Sequence, residues 1–120
     1  MYRVLISGDR DWSVSDSIRR ILRRLVKEHG TDLIVIGGGA PGADTICKIA
    51  CHDLSIHFAE VKALWDTRHK SAGPQRNTAM LGLDPHELIA FHADLANSRG
   101  TKNMILQATK AGVPYRLITE

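Results

Sequence analysis

A chain of 120 residues, 43% apolar and 24% charged with a formal net charge of +3, has the make-up of an ordinary globular domain able to bury one core. It is too short for a two-halved dinucleotide domain plus a separate substrate domain, so any chemistry is expected within one sheet or between subunits. Its apolar runs are short and MYRVLISG lacks signal-peptide character, which argues against a spanning helix and secretion and for a cytoplasmic protein with no membrane partner.

Arg3 to Ser7 reads as a short strand ending at Gly8, followed by an amphipathic helix over 14–29 with Ser13 or Ser15 as its N-cap. On that helix Ile18, Ile21, Leu22 and Leu25 form one face, and Arg19, Arg20, Arg23, Arg24 and Lys27 the opposite one. The basic face either keeps the helix back solvated or attracts nucleic acid. Leu33 to Ile36 is a second strand, Ala43 to Cys51 a second helix and Ile56 to Glu60 a third strand. Cys47 and Cys51 share one helix face, where buried thiols are expected in place of a metal site, because no further cysteine closes a ligand set beside His52. No metal and no resident cofactor are expected. A helix follows over 73–82 with Pro74 in its first turn, then a strand from Glu87 to Phe91. A helix from Thr101 to Lys110, closed by Gly112, leads into a last strand from Pro114 to Ile118.

Continuously apolar strands alternating with helices predict an α/β, Rossmann-like three-layer sandwich on a mainly parallel five-stranded sheet. With no linker or composition shift, residues 1–120 are expected to form one domain. Such folds bind ligands at the carboxyl ends of their strands, near the reversal of strand order. Four loops meet there: Gly8–Trp12, Gly37–Asp44, Val61–Arg76 and His92–Thr101.

In LIVIGGGAPGADT, Gly37, Gly39 and Gly42 spell G-x-G-x-x-G between a strand and a helix, and with Gly38 and Ala43 they predict a backbone cradle for phosphate. Asp44 beside a phosphate would repel it, so it is expected either to cap the helix or to accept hydrogen bonds from ribose hydroxyls. Arg10 is suited to a carboxylate or phosphate, or to a surface pair with Asp9 or Asp11. Trp65 either stacks on a base or plugs the sheet end. Gly73, Arg76 and Asn77 open the third helix toward the same edge, and Ser98, Arg99, Gly100 and Thr101 form a second small-residue turn into a helix. There Thr101 either caps the helix or donates to phosphate. Glu60, ending the third strand, also fits a ribose-binding acid in an NAD fingerprint, although that turn would normally follow the first strand.

The ordered motifs SGDRDW, GGGAPGAD, WDTRHKSAGPQRNTAM and SRGTKNMI resemble the YspA-like branch of the SLOG superfamily, a Rossmann-type group that includes the Lonely Guy (LOG) phosphoribohydrolases and the Smf/DprA proteins. The resemblance implies a pocket for a nucleotide or nucleotide-derived ligand, serving as a sensor, and a homodimer like that of the LOG relatives. It also implies two alternatives: N-glycosidic hydrolysis of nucleoside 5′-monophosphates, with Arg76 as a catalytic residue, and DNA binding. The LOG pattern P-G-G-x-G-T-x-x-E places its catalytic glutamate at Met104 of this chain, where the acid is missing.

Overall fold

The computed structural model describes residues 1–62 and 72–120. Five strands, β1 (Tyr2–Gly8), β2 (Leu33–Gly37), β3 (His57–Glu60), β4 (Glu87–Phe91) and β5 (Tyr115–Ile118), form one sheet in the order β3-β2-β1-β4-β5. All four pairings are parallel. The described helices are α1 (Ser15–His29), α2 (Ala43–Asp53), α3 (Ala72–Leu81) and α4 (Gly100–Lys110).

The middle of β1, Val4 to Ile6, is apolar and buried without a break because the sheet is covered on both sides. Val4 and Ile6 face a core with Ile18, Leu22 and Leu25 of α1 and Cys47 and Cys51 of α2. The intervening Leu5 faces the other core with Met80 of α3 and Met104, Ile105 and Ala108 of α4. Alternate side chains of one strand thus enter opposite layers, as a parallel sheet buried on both faces requires. The expected three-layer α/β architecture is the one observed. None of the described helices is long and apolar enough to cross a membrane.

Several boundaries differ for local reasons. The N-cap of α1 is Val14, not Ser13 or Ser15, and no side chain caps it. Ser15 Oγ instead accepts a hydrogen bond from Arg19 Nε at 3.0 Å. Strand β3 starts after Ile56, whose N–H is spent on Cys51 O at 2.9 Å to close the turn after α2. Strand β5 starts after Pro114, which has no N–H, although its carbonyl still accepts from Leu88 N at 2.9 Å. Cys47 and Cys51 are free and buried. The hydrogen bond with Cys51, then burial, hold the Cys47 thiol well above its ordinary range.

Strand order reverses between β2-β1 and β1-β4, and the register pairs Gly8 with Phe91 at the carboxyl ends of β1 and β4. The loops leaving this edge diverge to opposite faces and leave a crevice between them.

Candidate functional site

The loop after β1 is fastened to the sheet before it reaches the crevice. Asp9 N–H donates to Phe91 O at 2.8 Å, and Asp9 O accepts from Trp12 N at 3.2 Å and Ala43 N at 3.0 Å. Trp12 is buried in the core, its indole N–H donating to Val14 O at 2.9 Å and its ring set edge-on to Phe91. Its aromatic surface anchors the loop rather than facing a ligand.

The glycine turn is built differently from an open phosphate cradle. Gly42 adopts φ +76° and a Cβ there would lie 2.3 Å from the carbonyl oxygens of Asp9 and Arg10. Only glycine permits so close a crossing of two backbones. Gly42 and Ala43 therefore clamp the β1 loop to the start of α2, and the Ala43 amide is already committed to Asp9. Gly37 packs under the Phe58 ring. These three expected ligand residues do not line the cavity. Another amide of the turn, Ala40 N–H, donates to Asp44 Oδ2 at 3.1 Å. The turn thus already holds an anionic group, supplied by the chain itself.

Asp44 is only 6% exposed. It does not cap α2, whose N-cap is Gly42. Burial pushes its carboxyl up to about 6 from an ordinary 3.8; the Ala40 N–H and Arg76 oppose the rise, and Glu60 adds to it. From α3, Arg76 Nη1 donates to Gly38 O at 3.1 Å. Two side-chain atoms in this pair, Asp44 Oδ1 and Arg76 Nε, are buried with no hydrogen-bond partner. Each such orphan costs on the order of 1–3 kcal/mol.

At the start of α4 the N-cap is Arg99, not Thr101, and Ser98 Oγ just before it accepts from the amides of Thr101 at 3.1 Å and Lys102 at 3.4 Å. Thr101 is buried and is one of the residues that line the cavity. Asn77 Nδ2 donates to Asn103 Oδ1 at 3.0 Å and Gly100 O at 3.3 Å, tying α3 to the start of α4.

Between these elements lies a cavity of about 810 Å³, within the range of small-molecule sites. Of the expected residues, Gly8, Arg10, Gly38, Gly39, Asp44, Gly73, Arg76, Asn77, Ser98, Arg99, Gly100 and Thr101 converge on it. Trp65 lies outside the described residues. Arg10 and Arg99 are exposed on the wall and make no ion pair among the described residues, so the expected pairing of Arg10 with Asp9 or Asp11 does not form. Asp9 Oδ1 instead accepts from the Asp11 amide at 2.9 Å.

His92 and Asn103 are site residues that sequence reasoning missed. His92 is the first residue beyond β4, and only the strand-order reversal there brings it into the site. Its Nδ1 accepts from Asp94 N at 3.0 Å and its Nε2 lies 3.8 Å from Asp9 Oδ2. Glu60 also borders the cavity, but Lys48 Nζ holds its Oε1 at 2.9 Å. Met104 is fully buried in the core beneath α4 and does not reach the cavity. Among the described residues no group of three His, Cys, Asp or Glu is arranged to hold a metal ion.

The family described as "YAcAr: YspA, cpYpsA-related SLOG family" matches residues 2–68. Gene 61 protein of Mycobacterium phage D29 is 32% identical over 119 residues, covering 95% of this chain and 94% of that protein. DNA processing protein A (DprA) from Streptococcus pneumoniae superposes with a TM-score of 0.78 at 17% identity, over 98% of this chain and 50% of that one. DprA from Helicobacter pylori, whose structure is described for its single-stranded DNA binding mode, gives 0.74 at 18% identity, over 97% of this chain and 64% of that one. The chain spans less than two thirds of either structure, and at these identities the likeness speaks to the fold alone. The family match over more than half of the chain, with a relative at 32% identity along nearly its whole length, agrees with the four ordered motifs: the chain belongs to the YspA, cpYpsA-related SLOG family.

Proposed function

We propose that the cavity at the carboxyl edge of the sheet binds a nucleotide or nucleotide-derived small molecule, and that the protein acts as a sensor of it. One observation carries the reading: Asp44 Oδ1 and Arg76 Nε, buried atoms without a hydrogen-bond partner, both belong to residues on the wall of a ligand-sized cavity. Asp44 repels phosphate, so the anionic end of the ligand is assigned to Arg10 and Arg99, which stand exposed on the cavity wall without an ion-pair partner among the described residues. The neutral, hydrogen-bonding part then lies toward the glycine turn. Membership of the SLOG family supports the same ligand class.

Native mass spectrometry of the purified protein, with thermal unfolding across a nucleotide panel, tests this. The expected result is a copurified nucleotide-like mass, or a melting temperature raised by about 2–6 °C at saturating ligand, with the rise lost in Arg76→Ala. A protein with no bound mass and no shift across the panel overturns it. Hydrolysis of nucleoside monophosphates has less support, because the position of the LOG glutamate is Met104 in the apolar core.

A second reading, nucleic-acid binding, draws on one feature of its own: Arg20, Arg23, Arg24 and Lys27 form an exposed row on α1. It also fits the single-stranded DNA binding described for the Helicobacter pylori neighbour. It predicts retention of DNA that falls steeply with salt and weakens when Arg20 and Arg24 are neutralised; retention unchanged by that substitution rules out this face. Following the family likeness, we also take the protein to be a homodimer, which light scattering after size exclusion checks directly.

A further inference from the structure

We infer that Asp44 and Arg76 together read the vicinal hydroxyls of a ribose, so that the cavity takes ribonucleotide-derived ligands in preference to their 2′-deoxy counterparts. This rests on the nucleotide reading above and names which part of the ligand the glycine turn receives.

The two side chains present complementary unmet needs. Asp44 has spent Oδ2 on the Ala40 amide, and its buried Oδ1 lacks a donor. Arg76 has spent Nη1 on the Gly38 carbonyl, and its buried Nε lacks an acceptor. Both converge on one residue: a Cβ placed on Gly38 would lie 3.0 Å from Arg76 Nε and 3.0 Å from Asp44 Oδ2. The carboxylate and guanidinium are therefore no farther apart than twice that distance, yet they are not in ion-pair contact. A ligand that satisfies both presents a donor to the carboxylate and an acceptor to the guanidinium.

A vicinal diol does so. One hydroxyl donates to the carboxylate, and the adjacent hydroxyl oxygen accepts from the guanidinium. Phosphate supplies only acceptors at neutral pH and would meet the Asp44 carboxylate with like charge. The edge of a base also offers donor and acceptor side by side, but a base-edge contact is blind to the 2′-hydroxyl, so comparison of ribo and 2′-deoxy ligands separates the two. A site built to hydrogen-bond a hydroxyl rejects the analogue lacking it, because its buried polar atoms are left unpaired.

The test is calorimetric titration of the full chain with the common ribonucleoside 5′-monophosphates and their matched 2′-deoxy forms. At least one ribonucleotide should bind roughly tenfold or more tightly than its 2′-deoxy partner. Asp44→Asn, whose side-chain oxygen can still accept from Ala40, should narrow that ratio to within about threefold. Equal binding of the two series in the wild type overturns the inference and leaves the nucleotide reading standing, as does an unchanged ratio in a folded Asp44→Asn protein. If neither series binds, both readings fall. Should Asp44→Asn not fold, Arg76→Lys, which removes Nε as a donor, must narrow the ratio likewise, and an unchanged ratio there overturns the inference.

Discussion

Asp44 and Arg76 approach Gly38 closely enough that a methyl group on its α-carbon would lie 3.0 Å from an atom of each, and still they form no ion pair. Opposite charges this near in a poorly solvated place ordinarily close on one another. Here each is held by a backbone group instead, Asp44 by the Ala40 amide and Arg76 by the Gly38 carbonyl. The turn keeps the pair open.

Gly38→Ala follows directly. Gly38 is not in the left-handed region, so its backbone accepts alanine without strain. The added methyl meets only side-chain atoms, which shift by a few tenths of an ångström. We expect a stability loss below about 1.5 kcal/mol by urea denaturation, with loss of the nucleotide-induced rise in melting temperature. A full rise in the alanine variant would show that the ligand does not use the space at Gly38.

Gly42→Ala, four residues on, should behave in the opposite way. Its φ of +76° and the carbonyls of Asp9 and Arg10 at 2.3 Å leave no room for a side chain, and the obstruction is backbone on both counts. Gly30 is the control, with φ +60° and nothing within 4 Å of an added Cβ. Gly30→Ala, at φ +60° and ψ −136°, should cost only the strain of that glycine-favouring backbone region, about 1–3 kcal/mol, while Gly42→Ala should exceed about 4 kcal/mol or prevent folding. Comparable losses in the two variants would mean that the β1 loop does not cross α2 as described.

The contrast between these glycines also marks what could be read without coordinates. Strands and helices were legible because Val4 to Ile6, Leu33 to Ile36 and Leu88 to Phe91 are short unbroken apolar runs that alternate with amphipathic segments, the pattern of a sheet covered on both faces. The convergence of Arg10, Arg76 and Ser98 to Thr101 followed from placing each at a carboxyl strand end or a helix start. The use of each backbone amide was not legible. Ala43 N–H is consumed by Asp9, which lies 34 positions earlier and reaches it only through a crossing of loops. His92 gave no signal of its own, since a histidine after an apolar strand is unremarkable until the strand order puts it beside Asp9.

The elevated Asp44 carboxyl makes stability depend on pH. Its folded value of about 6 lies above the ordinary 3.8, so between the two the folded chain holds a proton that the unfolded chain has released. Stability from this group is therefore complete at low pH and is lost as pH rises through that window; the full loss is about 3 kcal/mol. Asp44→Asn has no such titration. The stability difference between wild type and variant should shift by about that amount, against the wild type, from about pH 4 to about pH 7.5. Urea denaturation at the two pH values measures it, and a difference independent of pH would contradict the buried, unpaired carboxylate.

Met104→Glu restores the residue that the LOG pattern carries at this position, and the structure predicts that it does not restore hydrolysis. Met104 is fully buried and packs with Leu5, Ile36, Met80 and Leu88 in the core beneath α3 and α4. A carboxylate placed there has no cation among those neighbours and must either stay protonated or leave the core. The substitution should cost about 3–5 kcal/mol, and no free base should be released from any nucleoside monophosphate. Met104→Leu, which nearly preserves volume, should stay within about 1.5 kcal/mol of the wild type and retain the nucleotide-induced thermal shift. Base release by a stable Met104→Glu protein would instead mean that the start of α4 can turn this side chain toward the cavity, and the assignment of the residue to the core would be wrong.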